Sequence, residues 1–189
     1  MHNVKVNKIK NVSSKQKMYS SMHFYFHVFF FKMRDIFFPR MDILKEADIK
    51  PGFCVLDYGC GSGSYTILLA KIVQDFGKVY ALDAHPLAIS RINNLISMKK
   101  IKNVNVIHSF CATGLPDNSV DTVLLYDTFH ALDNPAEVLE ELHRVLKTNG
   151  ILSFYDHRMT NSKIIHDITQ NRLFTLDKKN KKTYIFLKR

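Results

Sequence analysis

A short apolar run that ends in a ladder of glycines constrains this chain more than any other feature. Phe53 to Asp57 is rich in strand-forming residues, and Gly59-Cys60-Gly61-Ser62-Gly63 follows almost at once. Glycines after a buried strand let the backbone turn sharply and approach a ligand closely. Tyr65 to Phe76 then repeats at helical spacing through Ile67, Leu68, Ala70 and Ile72. The loop therefore opens onto the free N–H groups of a helix start. The next apolar run, Val79 to Asp83, ends in an acid twenty residues after Gly63.

The alternation continues. Pro86 suits the first turn of a helix that carries Leu87, Ile89, Ile92, Leu95 and Ile96. Val104 to His108 is a third strand and Val120 to Tyr126 a fourth. Asn134 and Pro135 suit the start of a helix whose apolar face is Val138, Leu139, Leu142, Val145 and Leu146. Asn149-Gly150 is expected to end that helix before a fifth strand, Ile151 to Tyr155. Ser162 to Thr169 reads as a helix, and Leu173–Leu176 with Thr183–Leu187 as a hairpin. Strand–helix alternation implies an α/β fold with a mostly parallel sheet covered by helices on both faces. The expected architecture is a Rossmann-like, seven-stranded sheet whose last strand is antiparallel, in a C-terminal hairpin. Ligands in such sheets sit beyond the carboxyl ends of the strands.

With 189 residues and 46% hydrophobic residues, the chain suits one domain plus an extension. Residues 1–48 read as a basic tail and an aromatic helical extension or lid, and residues 49–189 as the main domain. The net charge of +10 is uneven. Residues 1–50 and 159–189 each carry an excess of six positive charges, and residues 51–158 an excess of two negative ones. Basic ends keep nucleic acid in view as a partner, although solvated lysines on a tail and a hairpin turn explain them more simply. Three cysteines without CxxC spacing argue against a disulfide framework and for a reducing compartment, so a cytoplasmic location is expected. The longest apolar run, Phe24 to Phe31, is too short to span a bilayer. No metal site is assigned, because His23 and His27 lack the intervening Glu of a zinc protease motif.

The glycines are spaced two and two, unlike the Gly-x-Gly-x-x-Gly of dinucleotide sites. Asp57 stands two residues before the first of them. Its carboxylate opposes a pyrophosphate but suits an ammonium group. Asp83 is placed to bind the two hydroxyls of a ribose. S-adenosylmethionine (SAM) carries an ammonium group, a ribose and no phosphate, so it is the expected cofactor.

Residues about 50–158 resemble the class I SAM-dependent methyltransferases of the type 11 group, which includes ubiquinone/menaquinone-biosynthesis methyltransferases. Val55 to Gly63 resembles the first motif of that group, and Tyr80-Ala81-Leu82-Asp83 its ribose-binding acid motif. Leu115 to Asp121 resembles its loop before strand four. His143 to Gly150 resembles its helix-to-strand-five motif, with Thr-Asn-Gly where Pro-Gly-Gly is commoner. The resemblance implies that Asp57, Gly59 and Gly61 contact the methionine part, with Cys60 fitting inside the loop. It also implies that Asp83 binds the ribose, flanked by Ala84 and His85, and that Tyr126 lines the methionine end. One departure stands out. Phe110-Cys111-Ala112 occupies the place of the group's Gly-Asp-Ala, whose acid accepts from the adenine amino group. Thiol sulfur accepts weakly, so Cys111 is a contact by position only and the backbone of Ala112 is left to meet the ring.

Methyl transfer is an in-line displacement in which the enzyme mainly positions the nucleophile. A base helps when the acceptor is a hydroxyl or a weak carbon acid. Candidates after strands four and five are Tyr126, Asp127, Tyr155, His130 and His157, of which His130 and His157 are the catalytic candidates. The expected acceptor is small or lipid-like. The alternatives are an RNA methyltransferase, although Tyr126-Asp127-Thr128-Phe129 stands where amino-group methylation of nucleic acid uses Asn-Pro-Pro-Tyr, and a SAM-binding module without turnover.

Overall fold

The structure is a computed structural model that describes residues 40–189. The aromatic segment and the pair His23 and His27 lie outside the described residues. Helix α1 spans Arg40–Lys45. Strand β1 (Cys54–Tyr58) leads through the glycine loop to α2 (Ser64–Val73), and β2 (Lys78–Asp83) leads to α3 (Pro86–Lys99). Strands β3 (Val104–His108) and β4 (Val120–Tyr126) follow, then a 3-10 turn at Phe129–Ala131 and α4 (Pro135–Val145). Strand β5 (Leu146–Tyr155), α5 (Asn161–Thr169), β6 (Phe174–Lys179) and β7 (Tyr184–Lys188) complete the chain.

The seven strands form one sheet in the order β3-β2-β1-β4-β5-β7-β6. Every pairing from β3 to β5 is parallel, and β7 runs antiparallel to both β5 and β6. This is the expected Rossmann-like architecture, with its antiparallel last strand. Side chains alternate between faces along each strand, so one strand feeds two cores. Leu56, Val123 and Leu125 pack beneath α4 and α5 with Leu139, Leu142, Ile168 and Phe154. Val55, Val79, Ala81 and Leu124 pack beneath α1, α2 and α3 with Leu44, Leu69 and Ile92. Burial on both faces explains why these strands read as continuous apolar runs.

Residues 40–48 share this core. Ile43, Leu44 and Ala47 are buried. Glu46 ties α1 to the hairpin turn, since its Oε2 accepts from the Thr183 N–H at 2.8 Å and the Lys182 N–H at 3.1 Å.

Two local expectations need correction. Asn134 sits at the start of α4, but its side chain makes no capping bond there; its Nδ2 donates to Glu137 Oε2 at 3.3 Å instead. The helix also ends sooner than Asn149-Gly150 suggests. Leu146 turns extended (φ −65°, ψ 136°) and pairs with Val120, so β5 already begins there. Residues 147–150 form the irregularity between the Val120–Leu146 and Thr122–Ile151 pairs. Gly150 serves close packing in that bulge, where a Cβ would lie 2.9 Å from Leu146 Cδ2 and 3.1 Å from Asp121 O.

The strand order matters most for function. It sets the carboxyl end of β1 between those of β2 and β4, and β4 beside β5. Residues from four separated stretches of sequence therefore meet along one edge of the sheet.

Candidate cofactor and active site

The glycine loop is fastened to β2 by its backbone. The N–H groups of Gly59 and Cys60 both donate to Leu82 O, at 2.8 and 2.9 Å. Gly61 N–H donates to Asp83 Oδ2 at 2.8 Å, and His85 N–H donates to Asp83 Oδ1 at 2.8 Å. Asp83 thus joins the loops after β1 and β2 with one carboxylate. His85 caps α3, its Nδ1 accepting from Leu87 N–H at 3.1 Å. Ala84 O lies 3.0 Å from His108 Nε2, which brings the end of β3 to the same place.

The loop glycines do different work. Gly59 (φ +79°) is packed against the neighbouring loop, where a Cβ would lie 2.2 Å from Thr128 Oγ1. Gly61 (φ +51°) faces open space, with nothing nearer to a built Cβ than Gly59 O at 3.9 Å. Bare backbone facing open space at the end of a central strand is a place where a ligand can approach the chain directly. Cys60 is buried within the loop, and burial pushes its thiol well above the usual range.

Asp57 is 3% exposed and accepts from the Thr66 hydroxyl at 2.6 Å. Burial pushes its carboxyl up to about 6, against a pull downward from Thr66 and Arg40. The Arg40 guanidinium lies over the Tyr65 ring at 4.4 Å. A buried carboxylate with a raised pKa favours a cation beside it.

The segment after β3 is held at both ends. The Tyr58 hydroxyl donates to Phe110 O at 2.7 Å. The N–H and hydroxyl of Thr113 both donate to Glu141 Oε1, at 2.8 and 2.6 Å. Arg144 holds the same carboxylate, and its hydrogen bonds do most to draw the Glu141 carboxyl down to about 2. Between these anchors Phe110 is 60% exposed, Cys111 half-buried and Ala112 exposed. Burial pushes the Cys111 thiol up, which leaves it a weak acceptor.

Tyr126 does not offer its hydroxyl outward. That group bonds Ser153 Oγ at 2.7 Å, and the ring packs edge-on against Tyr65 and Tyr155. Its buried hydroxyl stays protonated.

Beside it the loops after β4 and β5 cross. His130 Nδ1 lies 2.7 Å from Asp156 Oδ2, and His157 Nδ1 lies 2.7 Å from Asp127 Oδ1. Backbone bonds reinforce both links, from His130 N–H to Asp156 at 3.2 Å and from His157 N–H to Asp127 at 3.1 Å. The two rings stand 6.3 Å apart, edge to face. Thr128, which touches Gly59, lies two residues before His130, so the histidine cluster abuts the glycine loop. Asp127, Asp156 and His157 each bring one potential ligand atom within 4.8 Å of the others. Asp156 was absent from the sequence-based candidates, although it directly precedes His157 at the end of a strand. Thr66 and Thr128 were absent too, since their roles exist only across elements.

The donor set fits SAM. Asp57 and Asp83 flank a bare glycine backbone, suiting an ammonium group at one end and ribose hydroxyls at the other. The same two carboxylates disfavour a pyrophosphate. Fold and loop together define a class I SAM-dependent methyltransferase domain. Residues 49–187 match the family described as "Methyltransferase domain", and the chain belongs to that family.

Similarity to individual proteins agrees with this. The chain is 33% identical over 113 residues to a demethylmenaquinone methyltransferase of Geobacillus stearothermophilus, covering 59% of this chain and 48% of that protein. It is 34% identical to one of Bacillus mycoides (strain KBAB4), again over 113 residues, covering 59% and 47%. The chain thus spans about half the length of the curated relatives it matches. A crystal structure of a SAM dependent methyltransferase from Aquifex aeolicus superposes with a TM-score of 0.74 at 29% identity, covering 82% of this chain and 92% of that one. A putative type 11 methyltransferase from Sulfolobus solfataricus shares the fold, with a TM-score of 0.58 at 23% identity. Among the described residues, no helix is long and apolar enough to cross a membrane.

Proposed function

We propose that this chain transfers a methyl group from SAM to a small or lipid-like acceptor held between the glycine loop and the loops after β4 and β5. The observation that carries this reading is the contact of Gly59 with Thr128, which sets the histidine cluster against the loop flanked by Asp57 and Asp83.

In this reading Asp57, Gly59, Cys60 and Gly61 surround the amino-acid end of the cofactor. Asp83 holds the ribose, with Ala84 and His85 beside it, and the backbone around Cys111 and Ala112 meets the adenine. Tyr126 shapes the wall near the methionine end with its ring and backbone, since its hydroxyl is committed to Ser153. When bound, SAM supplies a methyl group on an activated sulfonium. The chain's own part is to orient the acceptor in line and to manage its proton, with His130 and His157 as the candidate bases. The names of the relatives support a small quinone-type acceptor.

An acceptor screen with methyl-labelled SAM tests this. The panel holds reduced naphthoquinols, simple phenols, small amines and total RNA. Label is expected in a small molecule, with no gain from RNA. Label confined to RNA, and lost as salt rises, would replace this reading with a nucleic-acid one.

A further inference from the structure

We propose that Asp156 orients His130 as a general base, so that the acceptor is methylated at a group that must lose a proton: a phenol or enol hydroxyl, or a carbon activated by one. This deepens the reading above and rests on it.

The chemistry follows from which ring nitrogen is occupied. Asp156 has a fully buried side chain. Its oxygens are filled by donors, since Oδ2 faces His130 Nδ1 and His130 N–H, while Oδ1 takes Arg158 N–H at 3.0 Å and lies 2.9 Å from His130 Nδ1. Two backbone N–H bonds identify Asp156 as an acceptor, so the proton between it and the ring belongs to Nδ1. Nε2 is then the basic atom. The His130 side chain is 19% exposed, so part of the ring is open to solvent while Nδ1 is held by Asp156. The His157–Asp127 link repeats the arrangement in a more open setting, with the His157 side chain 48% exposed.

A carboxylate behind an imidazole fixes its tautomer and stabilises the imidazolium that forms. In the transfer, the acceptor oxygen or carbon forms the new bond to the methyl carbon while the sulfur–carbon bond breaks. The proton leaving the acceptor passes to His130 Nε2, and the thioether departs neutral. A neutral amine attacks through its lone pair and needs no such base, so an oriented histidine favours hydroxyl and enolisable acceptors. The convergence of Asp127, Asp156 and His157 also raises a divalent ion as an occupant. The donors already filling the Asp156 oxygens favour the proton instead.

Two-bond proton–nitrogen NMR on histidine-labelled full chain, loaded with the demethylated product of SAM, decides this without an acceptor. His130 is expected as the Nδ1–H tautomer, and Asp156→Asn is expected to shift its tautomer balance while that of His157, held by Asp127, stays as it was. An Nε2–H tautomer, or broadening of His157 by substoichiometric Mn2+, would overturn it. The wild-type spectrum stands even where Asp156→Asn fails to fold. On an acceptor found by the screen, His130→Gln is expected to lower kcat roughly 100-fold or more, leaving the KM for SAM unchanged. An unchanged kcat, or a screen that finds only amines, would also overturn it. A chain that fails to bind SAM would instead overturn the parent reading.

Discussion

Asp57→Asn is expected to give a chain that is more stable and binds SAM less well. Asp57 is buried at the end of β1, where it accepts from the Thr66 hydroxyl at 2.6 Å. Its carboxyl rises from an ordinary 3.8 to about 6. Between those values the folded chain holds a proton that the unfolded chain has lost. Stability therefore falls as pH rises from about 4 to about 6, and the cost stays constant above that. A shift of about two pH units corresponds to about 3 kcal/mol. Asparagine keeps an oxygen for Thr66 and carries no charge. Urea unfolding without cofactor should show the variant more stable by up to about 3 kcal/mol at pH 7, and by little at pH 4. The same substitution removes the charge proposed to meet the ammonium group of SAM, so affinity for SAM should drop about tenfold or more. A variant less stable at pH 7, or equally shifted at both pH values, would mean that Asp57 carries no buried charge. Retaining a carboxylate that destabilises the empty domain is the kind of conflict expected at a functional site.

Gly59→Ala is expected to damage folding more than alanine at Gly61 or Gly63. Gly59 sits at φ +79°, where a side chain costs about 1–2 kcal/mol. The new Cβ would lie 2.2 Å from Thr128 Oγ1, 2.6 Å from its Cγ2 and 2.9 Å from its Cβ. Thr128 is not free to swing away, because its hydroxyl donates to Tyr126 O at 2.9 Å. Together the strain and the clash should cost about 3 kcal/mol or more, a large share of an ordinary domain's stability. Relief would require the β4 loop to move, taking Asp127 and His130 with it. Adding Thr128→Gly should restore the steric part and leave the φ strain, so the double variant should recover only part of the loss in thermal unfolding. A Gly59→Ala chain of wild-type stability would show that the two loops do not touch.

The parts legible in the sequence are those set by local chemistry. Buried parallel strands read as apolar runs, and the glycine ladder marked where β1 had to stop. Asp57 and Asp83 were visible because their distances from the glycines are fixed along one chain segment. The hidden parts depend on strand order. Periodicity does not say that β4 lies between β1 and β5, so nothing local announces that Thr128 meets Gly59 or that His130 meets Asp156. The end of α4 is hidden for a related reason. Asn149-Gly150 is a common helix stop, but the pairing of Leu146 with Val120 draws the chain into the sheet three residues earlier. Tyr126 lies at the carboxyl end of β4, as its segment implies, yet its hydroxyl turns inward because Ser153 on the neighbouring strand offers it a buried partner.

SAM is proposed to bind on the loop between Asp57 and Asp83. Calorimetric titration of the full chain with SAM, beside an Asp83→Ala variant checked for folding, tests it most directly. One molecule is expected to bind per chain, and binding is expected to weaken about a hundredfold or be lost in the variant, since Asp83 fastens Gly61 and is proposed to hold the ribose. No binding to the wild-type chain, or equal binding to the variant, would contradict it.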